Sequence, residues 1–189
     1  MNQETVTLIA AVLAAAASFI SLSINLFAQR TSEMRVAYRN HLGPNLTELS
    51  DLIHQTVATS NMLVRQTSEN HATRYQNWRR KSTDVANRLK DLRPKVRYSL
   101  WGLDEGVRII TRFPNWVDQN RAHSNVKELL NGGDRLRRAL DFSIRNSFQY
   151  GRPPTLFERM LVNLAAKNLR KIYKGFAQVN DEQDEELLN

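Results

Sequence analysis

The chain has 189 residues, no cysteine and a formal net charge of +8 at pH 7. The lack of cysteine excludes a disulfide-built fold and a thiolate zinc site, and it fits a reducing cytosol. All lysines and arginines lie in residues 29–180, whereas five acids crowd residues 181–189. A body this basic is attracted to anionic surfaces, either lipid or nucleic acid.

The N-terminus contains an uncharged apolar segment from Val6 to Phe27. As a helix, these 22 residues extend about 33 Å, enough to cross a hydrocarbon core of about 30 Å. No cation precedes the segment, so it lacks the basic region of a secretory signal and is predicted to remain as an anchor. Arg30, Arg35 and Arg39 follow it, and the positive-inside rule then predicts an outside N-terminus and a cytoplasmic C-terminal part.

Within the anchor, small or polar residues recur alternately every three and four positions. The stripe consists of Thr7, Ala11, Ala14, Ser18, Ser21 and Asn25. Small residues allow two membrane helices to approach closely, and hydroxyl or amide groups form hydrogen bonds between them. This pattern favours a helix–helix interface, most simply between identical copies. Two other interpretations stay open, a plain lipid anchor and the lining of a small pore.

After the anchor, apolar residues recur at helical spacings. The first helix is predicted to run from the membrane to about Leu42, where Gly43-Pro44 interrupts it. A second helix follows over residues 46–64, and a third apolar pattern covers residues 75–110. Pro94 predicts a kink or break within that pattern, and Phe113-Pro114 is predicted to close it.

The C-terminal half contains clearer signals for the ends of helices. A helix is predicted from near Ser124, with a break at Gly132-Gly133 and a new N-cap at Asp134. Tyr150–Pro154 reads as a loop, after which Thr155 and Glu158 form a capping box for the last helix.

These patterns predict an all-α fold, in which one N-terminal transmembrane helix precedes a cytosolic antiparallel bundle of four to five helices. The predicted division is an anchor over residues 1–28, a bundle over residues 29–178 and an acidic disordered tail over residues 179–189.

The sequence contains no recognisable catalytic or cofactor motif. Glu48, Asp51 and His54 follow each other at one helical turn, but a solvated row of ion pairs explains them better than acid–base catalysis. The four histidines lack metal-binding spacing, and Asn131–Asp134 is too short for a phosphate loop. We therefore expect a non-enzymatic protein without a metal or a cofactor.

A basic segment contains Arg88, Lys90, Arg93, Lys95 and Arg97. Three interpretations compete for it: attraction to anionic lipid beside the membrane, binding of nucleic acid, and a solvated outer helix face. The neighbouring segment Tyr98–Gly106 combines two glycines with a tryptophan, which favours close packing of another helix. Trp101 is a candidate anchor for a partner protein, with core packing as the alternative.

In layout, the chain is similar to small bacterial membrane proteins that pair one span with a helical cytosolic module, some of which are effectors of defence or toxin systems. The leading hypothesis is a membrane protein, in the bacterial inner membrane, whose bundle binds a cytosolic protein or a second copy. The alternatives are a membrane-perturbing effector that acts through oligomerised spans and a membrane-tethered nucleic-acid-binding protein.

Overall fold

The computed structural model describes residues 2–65, 72–97 and 100–187, and it contains no strand within them. The protein is all helical, with one N-terminal helix suited to a membrane followed by a helical bundle, as the sequence predicts. Within these described ranges, five helices are present: α1 Gln3–Arg65, α2 Ala72–Val96, α3 Asp104–Gln119, α4 Val126–Tyr150 and α5 Leu156–Leu187.

Helix α1 passes through Gly43-Pro44 without interruption, so the predicted helix end at Leu42 is wrong. The helix contains 63 residues and is about 95 Å long. Pro44 removes one backbone donor, but its ring is exposed, while Gly43 before it and Leu46 two residues after it are buried. Packing on both sides of Pro44 therefore keeps the two halves of α1 in one helix.

Within α1, Ala11–Asn40 contains a stretch that is long and apolar enough to cross a membrane. The most apolar window of this stretch has a mean hydropathy of 2.0 and no buried residue. The remainder of α1 packs into the bundle, because Leu49, Leu52 and Ile53 are buried there. One helix thus connects the apolar segment directly to the core.

The bundle helices run in alternating directions around α3, which contacts each of the other four helices. Arg39 Nε donates to the carbonyl oxygen of Phe148 (3.1 Å), and Ser50 Oγ donates to Asp141 Oδ1 (2.9 Å). Helix α4 is therefore antiparallel to α1. We call the end of the bundle next to the apolar segment of α1 the proximal end, and the opposite end the distal end.

Helix α2 continues through Pro94 and ends at Val96, and Gly102 lies in the connection to α3. Pro94 is accommodated inside the last turn of α2. Gly102 has a φ of +89°, a left-handed conformation that ends helical geometry and favours glycine. A Cβ atom there would lie 2.4 Å from Cδ of Arg159. Tyr98 and Ser99 of the glycine- and tryptophan-containing segment lie outside the described residues.

Two further predicted interruptions are wrong. Pro114 does not close its helix, because α3 continues to Gln119. Helix α4 passes through Gly132-Gly133 without a break, and Asp134 is an interior residue and not an N-cap. A Cβ atom on Gly133 would lie 2.2 Å from Cζ of Phe113. These glycines therefore permit close helix packing rather than ending a helix.

The predicted loop and capping box are confirmed. Gly151 ends α4 in the left-handed conformation, with a φ of +57°. Thr155 Oγ1 accepts the backbone N–H of Glu158 (3.3 Å), and Glu158 Oε2 accepts the backbone N–H of Thr155 (2.6 Å). The backbone of α5 continues to Leu187 and therefore includes residues 179–187 of the predicted tail. The division at residue 178 and the disorder of the tail stay predictions.

Candidate functional site

The predicted stripe of α1 is exposed along the apolar segment. Its exposed members are Thr7, Ala11, Ala14, Ser18, Ser21 and Asn25. At about 100° per residue on a straight helix, the stripe is centred roughly 90° around the axis from the core-facing side of α1. A second helix can therefore lie along the stripe without meeting the bundle.

The polar members of the stripe differ in how their hydrogen bonds are satisfied. Thr7 Oγ1 donates to the carbonyl oxygen of Gln3 (2.9 Å), and Ser18 Oγ donates to that of Ala14 (2.8 Å). In the described part of the chain, the side chains of Ser21 and Asn25 have no hydrogen-bond partner. In an apolar surrounding, such groups gain from a partner on a neighbouring helix.

The predicted cation cluster of α2 does not form one continuous patch. Arg93 forms a bidentate ion pair with Asp104, with both N–O distances at 2.6 Å. The hydrogen bond from Arg93 lowers the pKa of Asp104 below its usual value. Arg93 therefore joins α2 to α3, and its charge is compensated within the bundle.

The other four cations of the cluster lie on two sides of α2. At about 100° per residue, Arg88 and Lys95 lie on one side, and Lys90 and Arg97 lie roughly 200° around the axis. All four are exposed, and Arg88 pairs with Glu48 on α1 at 3.5 Å. Lys95 and Arg97 lie near the proximal end and form no ion pair with the described residues. This split arrangement offers two small cationic edges in place of one binding face.

Trp101 lies on the surface at the proximal end, with 67% of its area exposed, so core packing is excluded for this side chain. The guanidinium carbon of Arg159 lies 4.2 Å from the ring centroid, which is a cation–π contact. The close packing predicted for the neighbouring glycine is confirmed, because a Cβ atom on Gly106 would lie 2.5 Å from Cγ1 of Val162. Trp101 as a partner anchor stays a prediction.

Replacing Trp101 with alanine tests whether this ring serves the fold. We expect Trp101→Ala to lower the free energy of unfolding by at most about 1 kcal/mol, the value of the Arg159 contact. Urea unfolding followed by circular dichroism in detergent measures this. The comparison is Trp116→Ala, because Trp116 stacks on Tyr173 at 4.3 Å and packs against the core. Equal losses in the two variants would contradict an exposed role for Trp101.

The residues Glu48, Asp51 and His54 do not form a joint acid–base site. Glu48 points to Arg88 of α2, whereas His54 Nε2 lies 3.5 Å from Asp141 Oδ1 of α4. The solvated ion-pair interpretation therefore fits Glu48, while His54 contacts Asp141 and Arg137 of α4. In the described ranges, no three histidine, aspartate or glutamate side chains come together to hold a metal ion. His71 and the side chain of His41 lie outside the described residues.

The turn between α4 and α5 is held by a polar network that the sequence indicated only in part. Glu158 has 2% of its area exposed. It accepts hydrogen bonds from Asn146 Nδ2 (2.8 Å) and from both terminal nitrogens of Arg152 (3.1 and 3.2 Å). Burial raises the pKa of Glu158, but the hydrogen bonds from Arg152, Thr155 and Asn146 outweigh it and lower the pKa from 4.5 to about 2.

The sequence analysis did not predict a group of exposed apolar residues at the start of α5. Leu156, Phe157, Met160 and Leu164 are all exposed, while Val162 and Leu169 of the same helix are buried. The available signal was a second apolar stripe at spacings i, i+1, i+4 and i+8 beside the core stripe.

No known protein family, no curated protein and no solved structure matches this chain. The described geometry comprises an exposed helix stripe, a rigid connection to a bundle and an exposed aromatic and apolar proximal end.

Proposed function

We propose that this is a non-enzymatic, single-pass membrane protein that self-associates through α1 and presents its bundle to a cytosolic protein partner. The apolar segment of α1 supports membrane insertion. Arg30, Arg35 and Arg39 after that segment favour an outside N-terminus and a cytoplasmic bundle.

The continuity of α1 is the observation that carries this proposal. The same helix bears the exposed stripe and, further along, the core residues Leu46, Leu49 and Ile53. Ser21 and Asn25 have unsatisfied side chains on the stripe, and small residues beside them permit close approach.

Association within the membrane then acts directly on the bundles. Because no flexible linker separates span and bundle, pairing of two α1 helices fixes the distance and orientation between two bundles. Two bundles held at fixed spacing bind a bivalent partner much more strongly than one bundle does, through effective concentration. Self-association is therefore the expected control point for partner binding.

Paired substitutions of identical composition test the stripe. Ala14→Leu with Ser21→Leu fills the stripe, whereas Ala16→Leu with Ser23→Leu makes the same chemical change on the opposite side of α1. We expect the first pair to weaken association by about 1–2 kcal/mol, or about 5- to 30-fold in dissociation constant. The control pair leaves association unchanged. Native mass spectrometry and crosslinking in lipid nanodiscs measure the oligomer.

Equal association of the two double variants, or a purely monomeric wild-type protein at all protein-to-lipid ratios, would reject the proposal. The same variants address the effector hypothesis, in which assembled spans depolarise cells and the stripe variant relieves this. Salt-sensitive binding of nucleic acid by the full chain, lost in Lys95→Gln with Arg97→Gln, would support the third hypothesis.

A further inference from the structure

Exposed apolar side chains on the bundle are concentrated at one end. Outside α1, the large exposed ones are Trp101, Phe142, Phe148, Tyr150, Leu156, Phe157, Met160 and Leu164. All of them lie in the proximal half, and the side chains described in the distal half, which exclude residues 177–187, include no large exposed apolar one. Scattered apolar residues are normal on a soluble surface, but concentration at one end marks an interaction surface.

The densest part is the turn from α4 into α5. We call it the corner surface and define it by Tyr150, Pro153, Leu156, Phe157 and Met160. Leu156 is 81% exposed, Phe157 59% and Met160 58%. The buried capping network of Glu158 fixes this turn, so the apolar residues are presented on a rigid support.

The corner surface lies close to the level at which α1 enters the membrane. A Cβ atom on Gly151 would lie 2.7 Å from Cα of Arg35, so the turn touches α1 at this residue. Arg35 is eight positions beyond Phe27, which is about 12 Å along the helix axis. A headgroup layer occupies about 5–8 Å of this distance. The rest of the distance between the turn and the headgroup layer is bridged by the length of the side chains and by a helix tilt of about 20°.

The charges on α1 at this level match an anionic lipid layer. Arg30 and Arg35 on α1 are exposed and form no ion pair with the described residues. The neighbouring acid Glu33 accepts a hydrogen bond from Gln29 (3.1 Å). Each unpaired cation near an anionic membrane surface contributes about 1 kcal/mol of attraction.

A cleft of about 830 Å³ opens beside this contact, between α1 and the turn, and its lining is mostly apolar. Met34, Tyr38 and Leu42 line it from α1, and Tyr150 and Pro153 line it from the turn. Arg35 also borders this cleft. An apolar cleft with a free arginine suits an amphiphile whose phosphate meets the cation.

We infer that the corner surface rests on the headgroup layer of the membrane that α1 enters, and that anionic phospholipids are its ligand. Aromatic and aliphatic side chains insert at the level where amphipathic groups gain most, while Arg30 and Arg35 meet phosphates. This second contact fixes the tilt of α1 and the orientation of the bundle. The inference rests on the membrane insertion in the proposed function, but not on self-association.

Charge and position select lipid over a second copy as the occupant. A second bundle docked on this surface would bring further cations against Arg35, because all lysines and arginines of the chain lie after the span, whereas an anionic lipid layer compensates this charge. The membrane is already present beside the turn, because α1 enters it about 12 Å away.

The absence of cysteine permits a clean test with single-cysteine variants of the full chain in liposomes. Met160→Cys reports on the corner surface, Lys127→Cys on the distal end and Leu22→Cys on the span. Each carries an environment-sensitive fluorophore, and the liposomes contain lipids with a nitroxide on the headgroup or the upper acyl chain. We expect at least threefold stronger quenching at position 160 than at 127 in anionic liposomes.

Two further measurements make the result specific. Leu156→Gln with Phe157→Gln, added to Met160→Cys, reduces quenching to the level of position 127. Neutral lipid or high salt reduces the quenching at position 160 only in part. Either condition weakens the attraction of the cations to lipid and leaves the apolar contact in place. Equal quenching at positions 160 and 127 overturns the inference, as does disulfide crosslinking between two copies at 160 without lipid quenching. An unquenched position 22 overturns membrane insertion and the inference with it. The quenching measurement at position 160 is repeated in a chain that also carries Ala14→Leu and Ser21→Leu. Unchanged quenching there shows that the lipid contact does not require self-association.

Discussion

Gly133→Ala lowers the free energy of unfolding by about 2–3 kcal/mol, although alanine is the better helix former. The new methyl group would lie 2.2, 2.6 and 2.8 Å from three ring carbons of Phe113. Phe113 is fully buried and lies against Gly133 of α4. The two helices must therefore separate or the ring must leave its preferred rotamer, and both cost packing energy.

Gly175→Ala is the matched control, because nothing lies within 4 Å of its new Cβ atom. Residue 175 is an exposed interior position of α5, so alanine there stabilises the helix by about 0.5–1 kcal/mol. Chemical unfolding of both variants, followed by circular dichroism in one detergent, gives the two changes with opposite signs. A stabilising Gly133→Ala would show that the α3–α4 contact is looser than described.

Glu158→Gln lowers the free energy of unfolding by about 3 kcal/mol at pH 7, which corresponds to the shift of its pKa. The amide loses the charge that compensates Arg152, and it cannot accept all the hydrogen bonds that reach the carboxylate. Removal of the buried carboxylate leaves the half-buried Arg152 without its ion-pair partner. The α4–α5 turn loosens first, because this carboxylate joins both of its ends.

The pH dependence of this variant has a defined sign. The pKa of Glu158 is about 2 in the folded protein and 4.5 without the fold. The carboxylate therefore stabilises the fold fully above about pH 4.5, and its contribution disappears as the pH falls towards 2. The difference between wild type and Glu158→Gln is expected to shrink over this window.

Unfolding titrations of both proteins at pH 7, 5, 4 and 3 measure that difference. Asp104 and Asp141 also have lowered pKa values, and subtraction of the variant removes their contribution. A difference that stays constant from pH 7 to pH 3 would contradict the assigned network.

Patterns with a purely local cause were predicted well from the sequence. The loop at Tyr150–Pro154 and the Thr155–Glu158 capping box depend on residues within a few positions of each other, and both are confirmed. The apolar character of the N-terminal segment depends on composition alone, and the structure leaves that segment exposed.

Glycine and proline were misjudged wherever their effect depended on a distant residue. Gly43 and Gly133 looked like helix ends, yet each accommodates an aromatic ring, Phe148 and Phe113 respectively. Local sequence cannot distinguish a glycine that ends a helix from one that admits a neighbour, because the two differ only in what lies beside it. Gly102 does lie in a connection between two helices, and its left-handed φ becomes visible only in the tertiary structure.

By itself, the sequence determined an all-α chain with an apolar N-terminal helix that carries a stripe of small residues. It also determined the loop and the capping box between α4 and α5. The tertiary structure decided that α1 is one continuous helix, that Arg93 is compensated by Asp104 and that Trp101 and the corner surface are exposed at the proximal end. The physical reason is the distance along the chain over which each interaction acts. Composition, periodicity and capping act within a few residues, whereas charge compensation, exposure and tolerance of proline depend on partners brought close by packing.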